Sequence, residues 1–120
     1  MLFPFAVFGQ QQNEERNNTA IYDILDRDAK FPGNIQQWIS KNINYPQQAI
    51  ENHEQGKVFV QFVIEKNGKV SNVKIIRGVS PTLDAEVVRL IMKMPKWKPG
   101  KINGKAVRSY IRLPVNFELT

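Results

Sequence analysis

Residues 57–77 restrict the fold more than any other stretch of this chain. Val58, Val60, Phe62 and Ile64 alternate with Phe59, Gln61, Val63 and Glu65, which is the two-residue period of a β-strand. Asn67-Gly68 follows, a dipeptide suited to a two-residue turn of the primed type because both residues tolerate positive φ. Pairing outward from that turn sets Phe62 opposite Val73 and Val60 opposite Ile75. One hairpin face is then Val58, Val60, Phe62, Ile64, Val73 and Ile75, and it must be buried under a second layer. The other face is half polar, with Phe59, Val63, Val70 and Ile76 among Gln61, Asn72 and Lys74. A cover from the N-terminal segment or from a second subunit is expected there.

The remaining elements supply that second layer. Phe31-Pro32-Gly33-Asn34 reads as a turn with Asn34 as N-cap, and Ile35, Trp38, Ile39 and Ile43 follow at helical spacing. Tyr45-Pro46 stops this helix, since proline pushes its predecessor out of the helical region. Pro46 opens a second helix, expected to run to about Gln55 and to stop at Gly56. Ser80-Pro81 starts a third, with Asp84 and Glu86 matched to the positive end of its dipole. Leu83, Val87, Leu90, Ile91 and Met94 form its apolar stripe, and Pro95 ends it. Thr19 to Asp28 is compatible with a short helix or a short strand.

The last strand starts at Val107. Val107, Ile111, Leu113, Val115, Phe117 and Leu119 face one way; Arg108, Tyr110, Arg112, Pro114, Asn116 and Glu118 face the other. A dozen residues reach about 40 Å, so the strand is expected to outrun its neighbours. Pro114 cannot donate to a hydrogen-bond ladder, which places this strand at a sheet edge. The order helix, helix, strand, strand, helix, strand implies an α+β fold with helices on one face of a small antiparallel sheet.

Charge is unevenly placed. The 120 residues carry a net charge of +6, and Lys93, Lys96, Lys98, Lys101, Lys105, Arg108 and Arg112 share one stretch free of acids. That stretch reads either as a solvated face or as a patch toward an anionic partner. There is no cysteine and a single histidine, His53, so no disulfide framework and no tetrahedral N/S metal site can be built. The acids are scattered, Ser80 is spent as a cap, and Gly100, Gly104 and Lys105 lack the spacing of a phosphate loop. The chain therefore reads as a non-enzyme without cofactor. Trp38, Tyr45 and Trp97 are expected in the core. Met1 to Gly9 is apolar and resembles the end of a secretory signal, although the basic n-region of such a signal is not visible. Either the start lies upstream or these residues form a hydrophobic arm.

Several short motifs occur together and in order: Phe31-Pro32-Gly33, Asn44-Tyr45-Pro46 with Ala49, Gly56 before Val58, Val60 and Phe62, and Asn67-Gly68-Lys69-Val70. Ser80 with Leu83-Asp84 comes next, then Met94-Pro95-Lys96-Trp97-Lys98-Pro99-Gly100, then Leu113-Pro114-Val115. Over residues 31–119 this series resembles the C-terminal domain of TonB, the energy transducer of Gram-negative envelopes. The resemblance implies a periplasmic domain with helices packed on a three-stranded antiparallel sheet, in residues 31–120. Residues 1–9 would then be a leader and 10–30 a linker or N-terminal arm. It also implies a partner, the Ton box of outer-membrane transporters, added as a strand along the last strand of the domain. Carried over, the partner-binding residues are Val107, Arg108, Ser109, Tyr110, Ile111, Arg112, Leu113 and Pro114. Asn42 and Asn44, just before Tyr45-Pro46, form a second contact region. Family members begin with a membrane helix and a Pro-rich linker; without these, the sequence is expected to bind a transporter but not to transmit force.

Other readings stay open beside this one. The module could be structural, forming a homodimer by edge pairing or binding an anionic envelope surface through the basic stretch. Nucleic acid is not an expected partner, because the aromatic signature of an RNA-binding sheet is missing.

Overall fold

A computed structural model describes residues 19–120; the expectations for the leader at 1–9 and for residues 10–18 lie outside the described residues. Strand β1 is Ile21–Tyr22, helix α1 is Ile35–Asn42 and helix α2 is Gln47–Glu51. Strands β2 and β3 are Gly56–Ile64 and Val70–Arg77, and helix α3 is Pro81–Met92. A small ribbon, β4 (Lys101–Ile102) with β5 (Lys105–Ala106), precedes the last strand, β6 (Arg108–Phe117).

The class is α+β, as expected, but the sheet has four strands in the order β1-β6-β2-β3 and is mixed. β2 is antiparallel to both β3 and β6, whereas β1 runs parallel to β6. A two-residue strand carries too little pattern to be read from sequence. Its position is set by the sheet edge it meets.

The hairpin departs from its expected turn. Gly68 takes φ 87, but Asn67 is not among the positive-φ residues, so the two-residue primed turn does not form. The Glu65 carbonyl accepts from Gly68 N–H (2.8 Å) and Glu65 N–H donates to the Lys69 carbonyl (2.8 Å), which closes a three-residue loop. That loop sets Ile64 opposite Val70 and turns Val70 toward the core. The register shifts between Gln61 and Val63, beside Asn72 at φ 49, and beyond it Val60 meets Ile75 as expected. One bulge thus lets Val70, Val73 and Ile75 all pack against the core. The primed turn appears instead at Asn103-Gly104, with φ 51 and 78, between β4 and β5.

β6 does not outrun its neighbour. Its residues from Ser109 to Phe117 pair without interruption with Ile64 to Gly56 of β2. The core lies between this sheet and the helices. Val58, Val60, Phe62 and Ile64 of β2 are fully buried, as are Leu83, Val87, Leu90 and Ile91 of α3. Each buried aliphatic side chain of this kind is worth about 1.5–3 kcal/mol relative to exposure. Trp97 packs edge-on against Phe31 and Phe62, at 5.4 and 5.8 Å between ring centroids, and is buried. Tyr45 packs edge-on against Phe117 at 5.3 Å and donates its hydroxyl to the Glu54 carbonyl.

Caps explain the helix limits. Asn34 Oδ1 accepts from Gln37 N–H (3.0 Å), and Ser80 Oγ accepts from Leu83 N–H (3.1 Å). α2 stops at Glu51, earlier than expected. His53 N–H donates to the Ile50 carbonyl and Glu54 N–H to the Ala49 carbonyl, with His53 at φ 54. This is the bond pattern of a Schellman stop, and His53 rather than Gly56 occupies its left-handed position. Glu86 also differs from its expected role at a helix start. It is buried, binds Arg89 at 2.6 Å and accepts from Asn44 N–H at 2.7 Å.

Candidate functional site

The sheet has two outer edges. β3 is a poor template for another strand, because Asn72 bulges and Lys74 and Arg77 add charge along it. β6 is straight, and its outer edge is met only by β1 among the described residues, at Ile21–Arg108 and Tyr22–Ser109. From Ile111 to Phe117 that edge has no strand neighbour among the described residues.

Pro114 fixes which groups the edge presents. It lies opposite Phe59 of β2. A residue without N–H cannot be in a pair that exchanges two hydrogen bonds, so Phe59–Pro114 is of the non-bonded kind. Pairs alternate along an antiparallel ladder, so odd-numbered residues of β6 bond β2 while the main chain of Arg112, Pro114 and Asn116 turns outward. The open edge therefore offers carbonyls at all three and N–H groups only at Arg112 and Asn116.

Side chains divide accordingly. Ser109 is buried (1% exposed) and offers no side chain to a partner, whereas Ile111 and Leu113 are partly buried against the core. The sheet's outer face carries Arg108, Tyr110, Arg112 and Pro114 in one row. Arg108 binds Glu65 at 2.8 and 3.1 Å and also donates to the Thr19 carbonyl (2.7 Å). The Arg108 hydrogen bonds hold the Glu65 carboxyl below the usual carboxylate range, against the opposing effect of burial. Arg112 donates to Asp23 (2.7 Å) and Gln61 (2.9 Å), and its guanidinium carbon lies 5.1 Å from the centre of the Tyr110 ring. Val63, opposite Tyr110, is fully buried. Farther along, Phe59, Ile76, Arg77, Arg112, Leu113 and Pro114 line an open groove of about 430 Å³. Phe59 and Ile76 are exposed there, so this part of the expected second cover is not supplied by the described residues.

The remaining expected site residues lie elsewhere. Val107 donates its N–H to the Gly100 carbonyl (2.9 Å) at the foot of β6. Asn42 and Asn44 sit after α1 and are tied to α3. The Asn42 carbonyl accepts from Arg89 Nη2 (3.0 Å), and Asn44 N–H donates to Glu86. Burial pushes the Glu86 carboxyl up, but its bonds to Arg89 and Asn44 outweigh this and hold it below its ordinary value.

The basic stretch does not form one patch. Its two arginines are paired on the sheet, and its lysines follow the loop. Lys98 bridges to Lys30 and Lys101 to Arg27 through the main chain. Lys30, Lys96 and Lys98, with Phe31, Pro32, Gly33, Trp97 and Pro99, line a cleft of about 510 Å³. Among the described residues no group of three or more His, Cys, Asp or Glu is placed to hold a metal. No described helix is long and apolar enough to cross a membrane.

The described residues thus form an α+β domain in which helices back an antiparallel β2–β6 pair whose outer edge is open from Ile111 to Phe117 among the described residues. The family model for the Gram-negative bacterial TonB protein C-terminal matches residues 41–119, and the chain belongs to that family. TonB C-terminal domains are non-enzymatic periplasmic domains that couple energy to transport, and in general they interact with outer-membrane transporters. The fold is similar to the solution structure of the Helicobacter pylori TonB C-terminal domain, residues 179–285. The two are 23% identical with a TM-score of 0.57, over 72% of this chain and 78% of that one. It is also similar to the Pseudomonas aeruginosa TonB C-terminal domain, at 23% identity and a TM-score of 0.54, over 83% and 97% of the two chains. Comparison with curated protein sequences gives no match.

Proposed function

We propose that β6 accepts the Ton box of an outer-membrane transporter as an added strand, in the periplasm, as part of energy-coupled transport. The observation that carries this reading is the open edge from Ile111 to Phe117. β-Augmentation draws affinity from main-chain bonds, so a regular edge beside an apolar groove is sufficient chemistry. Tyr110, Arg112 and Pro114 give the added strand an outer-face border, and Asn42 and Asn44 supply a second contact region. Titration with a Ton-box peptide, followed by NMR, is expected to shift the amides of Ile111 to Asn116. Shifts confined to α3 or to the β3 edge would overturn it.

A second reading rests on the cleft at Lys30, Lys96 and Lys98. Three cations with no acid paired to them among the described residues suit an anionic envelope surface. Pull-down on purified wall material should then be lost as salt rises, and binding indifferent to salt would remove this reading. A homodimer would use the same β6 edge. Sedimentation showing only monomer at high concentration would exclude it.

A further inference from the structure

The β6 edge already holds a short strand of its own chain. Ile21 and Tyr22 pair with Arg108 and Ser109, and the next residue, Asp23, accepts from Arg112. The chain then leaves the edge, and Ile24 is 89% exposed. It is anchored again only at the loop. There Asp26 and Arg27 N–H both donate to the Lys101 carbonyl, and Asp26 Oδ2 accepts from Asn103 N–H (2.6 Å).

The hold of this arm on the edge is small beside that of β2, although Arg108 also donates to the Thr19 carbonyl (2.7 Å). Ile21 and Tyr22 are only half-buried, and the Asp23–Arg112 pair is 56% and 49% exposed on its two sides. A pair so exposed contributes little to stability and exchanges readily. A two-residue pairing also adds few main-chain bonds, whereas β2 pairs nine residues of β6 on the other side. Arg112 sits where the arm ends and the open edge begins. It is the first outward-turned main-chain position beyond β1, and its guanidinium already holds a carboxylate.

We infer that residues 21–23 are a displaceable occupant of the partner edge, and that Arg112 passes from Asp23 to a carboxylate on the incoming strand. The partner is thus an extended segment with an Asp or Glu placed to reach Arg112. This rests on the strand-addition reading above. An intramolecular occupant lowers the apparent affinity of a competing strand by the fraction of time the edge is covered. The distal anchor at Lys101 and Asn103 keeps a released arm close by, so the edge closes again when the partner leaves.

The test uses the full chain in two forms, wild type and the double variant Tyr22→Pro/Asp23→Asn. Tyr22 faces Ser109, between the outward-turned Arg108 and Tyr110, so the proline removes the N–H that β1 turns toward β6 while the core stays untouched. Two probes are titrated and followed by amide NMR: a heptapeptide copying residues 19–25, and a Ton-box peptide carrying a carboxylate. Both probes are expected to bind the double variant about 3- to 10-fold more tightly than wild type, with shifts from Tyr110 to Asn116. The Asp23→Asn version of the heptapeptide should bind the variant roughly 2- to 5-fold more weakly than the original. Equal Ton-box affinity for the two forms keeps strand addition and overturns the occupant. Indifference to the Asp23→Asn change overturns the role of Arg112. Absence of binding by both probes to both forms overturns strand addition and the occupant together.

Discussion

Two small residues show how single positions are held. Asn67-Gly68 is a dipeptide suited to a primed turn. The place of Gly68 in the structure depends on something else as well: Trp97 N–H donates to its carbonyl (2.9 Å), and a Cβ at Gly68 would lie 2.1 Å from the Trp97 carbonyl oxygen. With φ at +87 as well, Gly68→Ala is expected to cost roughly 2–4 kcal/mol and to lower Tm by about 10 °C or more. Thermal denaturation checks this. Ser109 is the opposite case. Its hydroxyl is buried and has no hydrogen-bond partner among the described residues. Removing an unsatisfied polar atom restores nothing to solvent and relieves a desolvation cost. Ser109→Ala should therefore leave Tm unchanged or raise it, and should leave partner binding intact. A clear loss of stability in urea denaturation would show that the hydroxyl is bonded after all.

At the scale of elements, the two edge strands differ in kind. β3 is bent by the bulge at Asn72 that brings Val73 and Ile75 back to the core, so core packing and edge protection come from one residue. Among the described residues, β6 is protected at its start by β1 and in its middle by Pro114. Restoring an N–H there with Pro114→Thr adds one outward donor, worth about 0.5–1.5 kcal/mol net per hydrogen bond. A Ton-box segment is expected to bind this variant roughly 2- to 10-fold more tightly, measured by calorimetry. Self-association in sedimentation should also rise, since the same donor serves any strand. Lower affinity in the variant would mean that the proline shapes the site rather than interrupting it.

For the whole molecule, two carboxylates link layers that are distant in sequence. Glu86 joins α3 to the segment after α1, and Glu65 joins the hairpin loop to β6 through Arg108. Both carboxyls are held below their ordinary values in the folded state. Their contribution is therefore fully present above the unfolded carboxylate range near pH 4.3. It is lost as pH falls through the lower folded values. Glu86→Gln is expected to cost about 1–3 kcal/mol in urea denaturation at pH 7. Against wild type, the cost should shrink as pH is lowered toward 3. A difference that stays constant with pH would mean that the buried pair stabilises through packing alone.

Much of the architecture follows from local rules that act within a few residues. The alternation in β2 and β6, the caps at Asn34 and Ser80, and the stop before Tyr45-Pro46 are readable because period, cap and proline chemistry depend on near neighbours. Pro114 likewise announced a sheet edge by its missing donor. What sequence could not decide was anything requiring two distant segments to meet. Asn67-Gly68 and Asn103-Gly104 are the same dipeptide, yet only the second makes a primed turn, because the first must meet the backbone of Trp97. Glu86 looked like a dipole partner until α3 packed beside Asn42 and Asn44. The arm at Ile21–Asp23 had too few residues for any period, and its strand exists only because β6 offers unpaired main-chain groups. The sequence by itself determined that the last strand would lack a full ladder at Pro114, although β1 rather than β6 is the outermost strand at its start. Tertiary structure decided how much of the β6 edge is open, since edge occupancy depends on long-range hydrogen bonds that no local pattern encodes.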